Sequence, residues 1–321
     1  MARITKSINK FTMLSFLTEP NFPKAAVGIE HDRVTVIALQ KQGRTGYEVR
    51  NAASVDLPSS LIQPQFLGTN ISSRPGLRAV LQEVSGLAGL LGQKNWSVAL
   101  PSNSARTAIL TVEAGGKAES EEVLDWKAEQ SFGAPAAHLR ISKHRIANDA
   151  EGRLRYFASA IKLSVIDEYE SVFEELGWRT GLILPRAVCE SNWLLNNGGP
   201  EDALLLSSQQ EGFTAVLFGD GEPSVIRTVS CSPTEKDDEI YRLLMFYNDR
   251  FANERGPRQL NRVLTVGDDL NSKKIIDIAR EALGREVSIL SAPDVGLNIP
   301  PGTLGFNELA APAGLAAFGC R

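Results

Sequence analysis

Cysteine is scarce in this 321-residue chain: Cys189, Cys231 and Cys320 lie too far apart for a disulfide framework or a CxxC metal knuckle. A reduced, cytosolic setting is the expectation. Histidine is equally sparse, and His31, His138 and His144 form no HExxH-like pair, so no metal site is expected and all three read as surface or loop residues. Excess positive charge is also missing: 34 basic residues against 38 acidic ones leave a net −4, which removes the general field that draws nucleic acid. No apolar run approaches the ~18 to 20 residues that cross a bilayer, and the basic N-terminus lacks a signal-peptide core with a cleavage site. The chain is expected to be neither exported nor integral to a membrane.

What remains is a globular composition, 43% hydrophobic and 22% charged, with length for two domains at roughly 150 residues each. The stretch AAVGIEHDRVTVIAL (25–39) alternates apolar positions, breaks at Glu30-His31-Asp32-Arg33, and alternates again: strand, turn, strand. The plan recurs in ALLLSSQQEGFTAVLFGDGEPSVIRTVS (203–230), and a repeated meander implies two related α/β domains facing each other across a cleft. Ahead of the first strand, Ile4, Ile8, Phe11 and Leu14 fall at roughly helical spacing between Lys6 and Lys10, which suits either a membrane-surface contact or a frayed extension.

Along the chain, a third strand (46–57) leads through a Pro/Ser/Asn connection to a helix over 75–91, with Leu77, Val80, Leu81, Val84 and Leu87 on one face and Gly92 as its stop. Strands at 96–100 and 105–112 precede a helix at 117–132, whose Glu119, Glu121 and Glu122 complement its N-terminal dipole. Strands at 139–146 and 154–161 follow, then a helix at 164–176 with Ser164 as cap and Gly177 as terminator. A turn through Pro185 enters another helix, and the Asn/Gly/Pro cluster at 196–200 marks the domain boundary. After the second meander come helices at 235–251 and 272–283, strands at 262–266 and 287–290, and a last helix at 312–318.

Several pieces, in order, resemble the type IV pilus assembly PilM family of actin-like proteins: MLSFL with VGIE, VALPSNSARTAIL, YFASAIKLSVIDEYESVFEELGWRTGLILPRAVC, Gly314-Leu315-Ala316, and above all EEVLDWKAEQSFGAP. The likeness covers most of residues 13–321. It implies an α/β, actin-like (ribonuclease H-like) two-domain fold: an extension at 1–24, a first domain at 25–198 with an inserted subdomain at about 92–176, and a second domain at 199–321 whose adenine-side subdomain is reduced or missing, only a short linker standing at 230–239.

An actin-type ATP site needs small residues in its turns, so that backbone amides reach the phosphates, and carboxylates that hold magnesium through water. Here Glu30, His31 and Asp32 stand where the resemblance implies an Asp-Ile-Gly-Ser-Ser-like loop; Ser207 and Ser208 open the second turn without its acid; and Gly267 is followed by Asp268 and Asp269 in place of further small residues. Neighbouring carboxylates also repel an anion. No nucleophile or base of diagnostic spacing accompanies them, so no catalytic residue and no cofactor is expected, with Mg-ATP as the alternative.

The resemblance then implies a non-catalytic cytoplasmic scaffold, a pseudo-ATPase at the cytoplasmic face of the inner membrane. It would bind the N-terminal cytosolic peptide of a bitopic PilN-like membrane protein in a groove between the first domain and its insertion. Trp126, Phe132 and Arg186 are the candidate partner-binding residues, since aromatic side chains and arginine contribute most at interfaces; each also has a plain reading, the two aromatics as core and Arg186 as a surface charge. The alternatives are an ATP-hydrolysing actin-like protein of the pilus machinery, and a GspL-like type II secretion component, which the absent membrane helix disfavours.

Overall fold

The computed structural model describes residues 22–115, 120–195, 201–251 and 259–320. The amphipathic pattern at 4–14, the MLSFL stretch, Lys117, Glu119 and the boundary at 196–200 lie outside the described residues.

The first half opens as a meander of β1 (Ala25–Ile29), β2 (Arg33–Gln42) and β3 (Gly46–Asp56), and α1 (Arg74–Leu87) carries the chain to β4 (Asn95–Leu100). A separate three-stranded sheet then forms from β5 (Ala105–Val112), β6 (Leu139–Ile146) and β7 (Leu154–Lys162), with α2 (Glu121–Phe132) between β5 and β6. The chain returns through α3 (Leu163–Glu175) to β8 (Arg179–Pro185) and α4 (Arg186–Leu195). In the second half, β9 (Asp202–Gln209), β10 (Gly212–Gly219) and β11 (Glu222–Val229) repeat the meander, followed by α5 (Lys236–Phe251), β12 (Leu260–Val266), α6 (Ser272–Leu283), β13 (Ser288–Ile289), β14 (Leu297–Asn298) and α7 (Phe306–Ala316).

The two large sheets share one plan. In the first, of order β14-β3-β2-β1-β4-β8, β1 is antiparallel to β2 and parallel to β4; in the second, of order β11-β10-β9-β12-β13, β9 stands in the same relation to β10 and β12. Every residue of β10 is buried although it is antiparallel to both neighbours, because helices pack on both sides of its sheet.

The helices sort into layers by their apolar faces. Leu77, Leu81 and Val84 of α1 and Val165, Ile166, Tyr169, Val172 and Phe173 of α3 recur at three- and four-residue spacing and close the outer face of the first sheet. Ile240, Leu243, Leu244 and Tyr247 of α5, with Ile275 and Ala279 of α6, do the same for the second. Between the sheets lie α4 and α7, which share one core with Ile37 and Leu39 of β2, Leu205 of β9 and Leu264 of β12. There Trp193 donates its indole N–H to Ala310 O at 2.7 Å and Asn192 its amide to Gly314 O at 2.8 Å, so these two buried side chains of α4 find acceptors on the backbone of α7.

Several expectations shift. The separate sheet spans Ala105–Lys162, inside the 92–176 expected for the insertion, because β4 pairs with β1 and β8 and α3 packs in the first domain's core. The second half is not one body either: β14 pairs with β3, and the buried side chains of α7 join the central core, so the end of the chain closes onto the first sheet. Proline reads as a helix start in sequence, but Pro312 sits inside α7; its ring lies against β1, where a Cβ on Gly28 would approach Pro312 Cδ to 3.0 Å. Helix α1 ends at Leu87, before Gly92, and turns Leu87 outward at 66% exposure. Lys162 rather than Ser164 precedes α3, with no side-chain cap. Strands β8 and β14 were not anticipated.

Candidate functional site

The turns of the two meanders point into one cleft of about 320 Å³ between the large sheets. Glu30, His31, Asp32 and Arg33 come from the β1–β2 turn; Ser208, Gln209 and Gln210 from the β9–β10 turn; Gly267, Asp268 and Asp269 from the end of β12; Arg186 from the start of α4; and Asn307 from the start of α7. The structure therefore brings together every nominated turn residue except Ser207, which is fully buried on the opposite face of β9 from Ser208.

Three charge clusters fill this space. Deepest is Arg186, whose Nε donates to Glu190 at 2.6 Å and whose Nη1 donates to Glu30; the Glu190 side chain is wholly buried. Burial works against the charged form of Arg186, yet Glu190 and Glu30 outweigh it and hold its pKa above the ordinary value. Burial also pushes the Glu190 carboxyl up, against the pull of Arg186 and the Ser207 hydroxyl. The second cluster joins α5 to the β12 turn: Lys236, nearly buried, donates to Ser208 Oγ at 3.0 Å and to Asp269. Burial raises the Asp269 pKa, but the Lys236 and Ser208 hydrogen bonds outweigh it and the net shift is downward.

The third cluster crosses the cleft. Arg33 reaches from the first sheet to Asp268 at 3.7 Å and to Glu308 of α7 at 3.8 Å, beside its neighbour Asp32 at 3.5 Å. Asn307 donates to Asp268 at 2.8 Å while its own carbonyl oxygen accepts the Gly267 N–H at 3.2 Å.

Two features that a phosphate needs are already used. Gly267 has φ +135°, but a Cβ built there would stand 2.3 Å from Ser208 Cβ, so the space its missing side chain leaves is taken by the neighbouring strand. The amides of Glu30 and Gly267 are committed to Arg33 O and Asn307 Oδ1. Four carboxylates, Glu30, Asp32, Asp268 and Asp269, line the cleft against the two guanidiniums of Arg33 and Arg186. Among the described residues, no three His, Cys, Asp or Glu side chains converge as metal ligands would.

The three nominated partner-binding residues do not meet. Arg186 belongs to the cleft and is committed to two carboxylates, so neither a surface charge nor a free interface arginine describes it. Phe132 is fully buried, packed with Leu110, Ala128 and Leu139 in the core of the small sheet, and presents nothing to a partner. Trp126 is 54% exposed on α2, with the Lys127 ammonium 5.1 Å from its ring centre. Sequence reading missed Lys236, Asn307 and Glu308, whose partners are remote in the chain. Glu190 was within reach, since it stands four residues after Arg186 on an expected helix.

No protein-family model and no curated protein matches the sequence. Solved structures do. A PilM–PilN type IV pilus biogenesis complex matches with a TM-score of 0.73 at 14% identity, covering 94% of this chain and 100% of that one. An actin-like ATPase-fold protein of unknown function from Bacteroides thetaiotaomicron matches at 0.50 and 12% identity, over 92% and 96% of the two chains. The cytoplasmic domain of EpsL, an inner-membrane component of the type II secretion system of Vibrio cholerae, matches at 0.45 and 8% identity, over 92% and 93% of the two chains. The fold is actin-like, with the cleft just described in the position between its two halves.

Proposed function

We propose that this chain is a divergent PilM-like protein: a non-catalytic, actin-like scaffold of a type IV pilus or related platform at the cytoplasmic face of an inner membrane. It would hold a PilN-like membrane protein through that protein's cytosolic N-terminal peptide. The observation that carries the non-catalytic part is the cleft itself, where Arg33, Arg186 and Lys236 neutralise the carboxylates and the turn amides serve the protein's own oxygens. A nucleotide would have to displace these pairs while meeting four carboxylates. The assembly part is supported by the likeness to a structure solved as a PilM–PilN complex, spanning the whole of that chain. No described helix is long and apolar enough to cross a membrane, and association with the bilayer through partners is part of this proposal.

Trp126 is the tryptophan available for the peptide, since the chain's other three, Trp96, Trp178 and Trp193, are buried. Two calorimetric titrations test the reading. Mg-ATP is expected to give no saturable heat. The N-terminal peptide of a PilN-like protein from the same genome is expected to bind, quench tryptophan fluorescence, and lose about tenfold in affinity in Trp126→Ala, as interface aromatics do. Magnesium-dependent ATP binding with turnover, or a folded protein that ignores the peptide, would refute it.

A further inference from the structure

The small sheet has the order β5-β7-β6, so β6 is an edge: among the described residues, no strand pairs with its outer side. β5 is the other edge of the sheet, and the two faces are partly covered. Ala128 and Phe132 of α2 pack on one face, while from the other region Arg155 of β7 donates to Ser224 O of β11 at 2.8 Å and Ala147 N–H, just past β6, is held by Glu222. What stays open is the backbone edge of β6. In an antiparallel ladder alternate residues direct their N–H and C=O away from the partner, which leaves roughly half of the strand's eight residues with unpaired backbone groups facing outward.

The side chains along this edge are cationic. Arg140, Lys143, His144 and Arg145 are all exposed, and none forms an ion pair or side-chain hydrogen bond among the described residues. The strand contains no acid, and the carboxylates just beyond it are occupied: Glu222 by Ala147 N–H and Asp149 by Arg153. In a chain of net charge −4, whose buried and cleft cations are paired, this is a local and uncompensated positive strip.

We propose that the β6 edge is a docking site for an extended, acidic polypeptide segment of another protein, added as a fourth strand to the small sheet. Two details select this occupant. Strand periodicity puts Arg140 and His144 on one face and Lys143 and Arg145 on the other, so the cations flank an added strand from both sides and define no single plane for a membrane surface. A second copy of β6 would set cation against cation, which disfavours self-pairing and favours a strand carrying carboxylates at the opposed positions. Main-chain pairing would supply affinity and the alternating acids register. The proposal concerns the outer edge of the small sheet and does not rest on the pilus reading.

The test uses the full chain and the blocked peptide Val-Glu-Glu-Glu-Thr-Val-Glu-Val, which in antiparallel register sets a glutamate opposite each of the four cationic positions, with the Glu-to-Lys version of the same peptide as control. The acidic peptide is expected to bind at least about tenfold tighter than its control at low salt, to weaken as salt rises, and to slow amide hydrogen exchange in β6. The triple variant R140E/K143E/R145E, altered only at exposed side chains and checked by circular dichroism, is expected to invert the preference. Absence of acidic-peptide binding, protection that maps elsewhere, an unchanged preference in the triple variant, or binding of phosphatidylglycerol vesicles without peptide binding would each overturn the proposal.

Discussion

Replacing Arg186 by methionine removes the cation at the base of the cleft and keeps most of its aliphatic volume. Glu190 is then left wholly buried with no counter-charge, and Glu30, 20% exposed, loses its partner as well. Breaking a buried pair by deleting one member costs about 3–5 kcal/mol, chiefly the penalty of the charge left behind. The cost should depend on pH in a defined direction. Burial already holds the Glu190 pKa above 4.5, and Arg186 is the largest influence pulling it back; without it the value rises further. A carboxyl whose folded pKa exceeds its unfolded one gives its full stability below the unfolded value and loses it as pH climbs through the folded one. The wild-type protein therefore loses a little stability just above pH 4.5, and Arg186→Met extends that window upward.

The difference between wild type and variant should accordingly grow between pH 5 and pH 8, by at most about 1.4 kcal/mol per pH unit for a single group. Urea unfolding followed by the fluorescence of the buried Trp193, on the same helix as the pair, measures it. The double variant R186M/E190Q removes both charges and should recover at least half of the loss, most clearly at the higher pH. A loss below about 1 kcal/mol that is flat with pH, or a double variant no better than the single one, would refute the reasoning that Glu190 is held as an ion by Arg186.

How much of this was visible in the sequence follows from how each element is buried. The meanders were legible because their strands alternate or run apolar between polar turns, and their repetition announced two similar sheets. Helix α2 was legible in part: Leu124, Ala128 and Phe132 stand four residues apart on its buried side, which places Phe132 in the core and leaves Trp126 outside. Helices α4 and α7 were expected as helices, after the turn through Pro185 and at 312–318, but their buried setting between the sheets was not, because elements covered on most sides show no clear amphipathic period. Their polar residues, Glu190, Ser191 and Asn192, look like a solvated face until Arg186, Ala187 O and Gly314 O are found opposite them. The cleft was identified from its turns, but its chemistry was not: Arg33 meets Asp268 and Glu308, and Lys236 meets Asp269, only through topology. Composition fixes the number of charges and is silent on which of them cancel.

The remaining charge cluster gives an acid-side prediction. Asp269 is held below its ordinary pKa, so its contribution is present above about pH 3.8 and is lost as pH falls through the folded value. Asp269→Asn leaves the Lys236 ammonium, 4% exposed, without its counter-charge, so although the Asp269 side chain is itself 48% exposed the change should cost about 1–3 kcal/mol at pH 7 and converge with wild type on acidification in a pH series of thermal unfolding; a gap that persists below pH 3 would count against it. The last prediction concerns the turn that a nucleotide would need. Gly267→Ala puts a side chain at φ +135°, at a strain of about 1–3 kcal/mol, and forces its Cβ against Ser208, whose neighbour Lys236 is itself fixed by Asp269. Overpacking adds about 1–3 kcal/mol, so a total loss of roughly 2–6 kcal/mol is expected in urea unfolding. If the turn were instead an open phosphate cradle, the added methyl group would project into solvent and only the backbone strain would remain. A loss no larger than the strain alone, below about 2 kcal/mol, would therefore show that Ser208 and the β12 turn are not packed together, and would reopen the cleft to an anionic ligand.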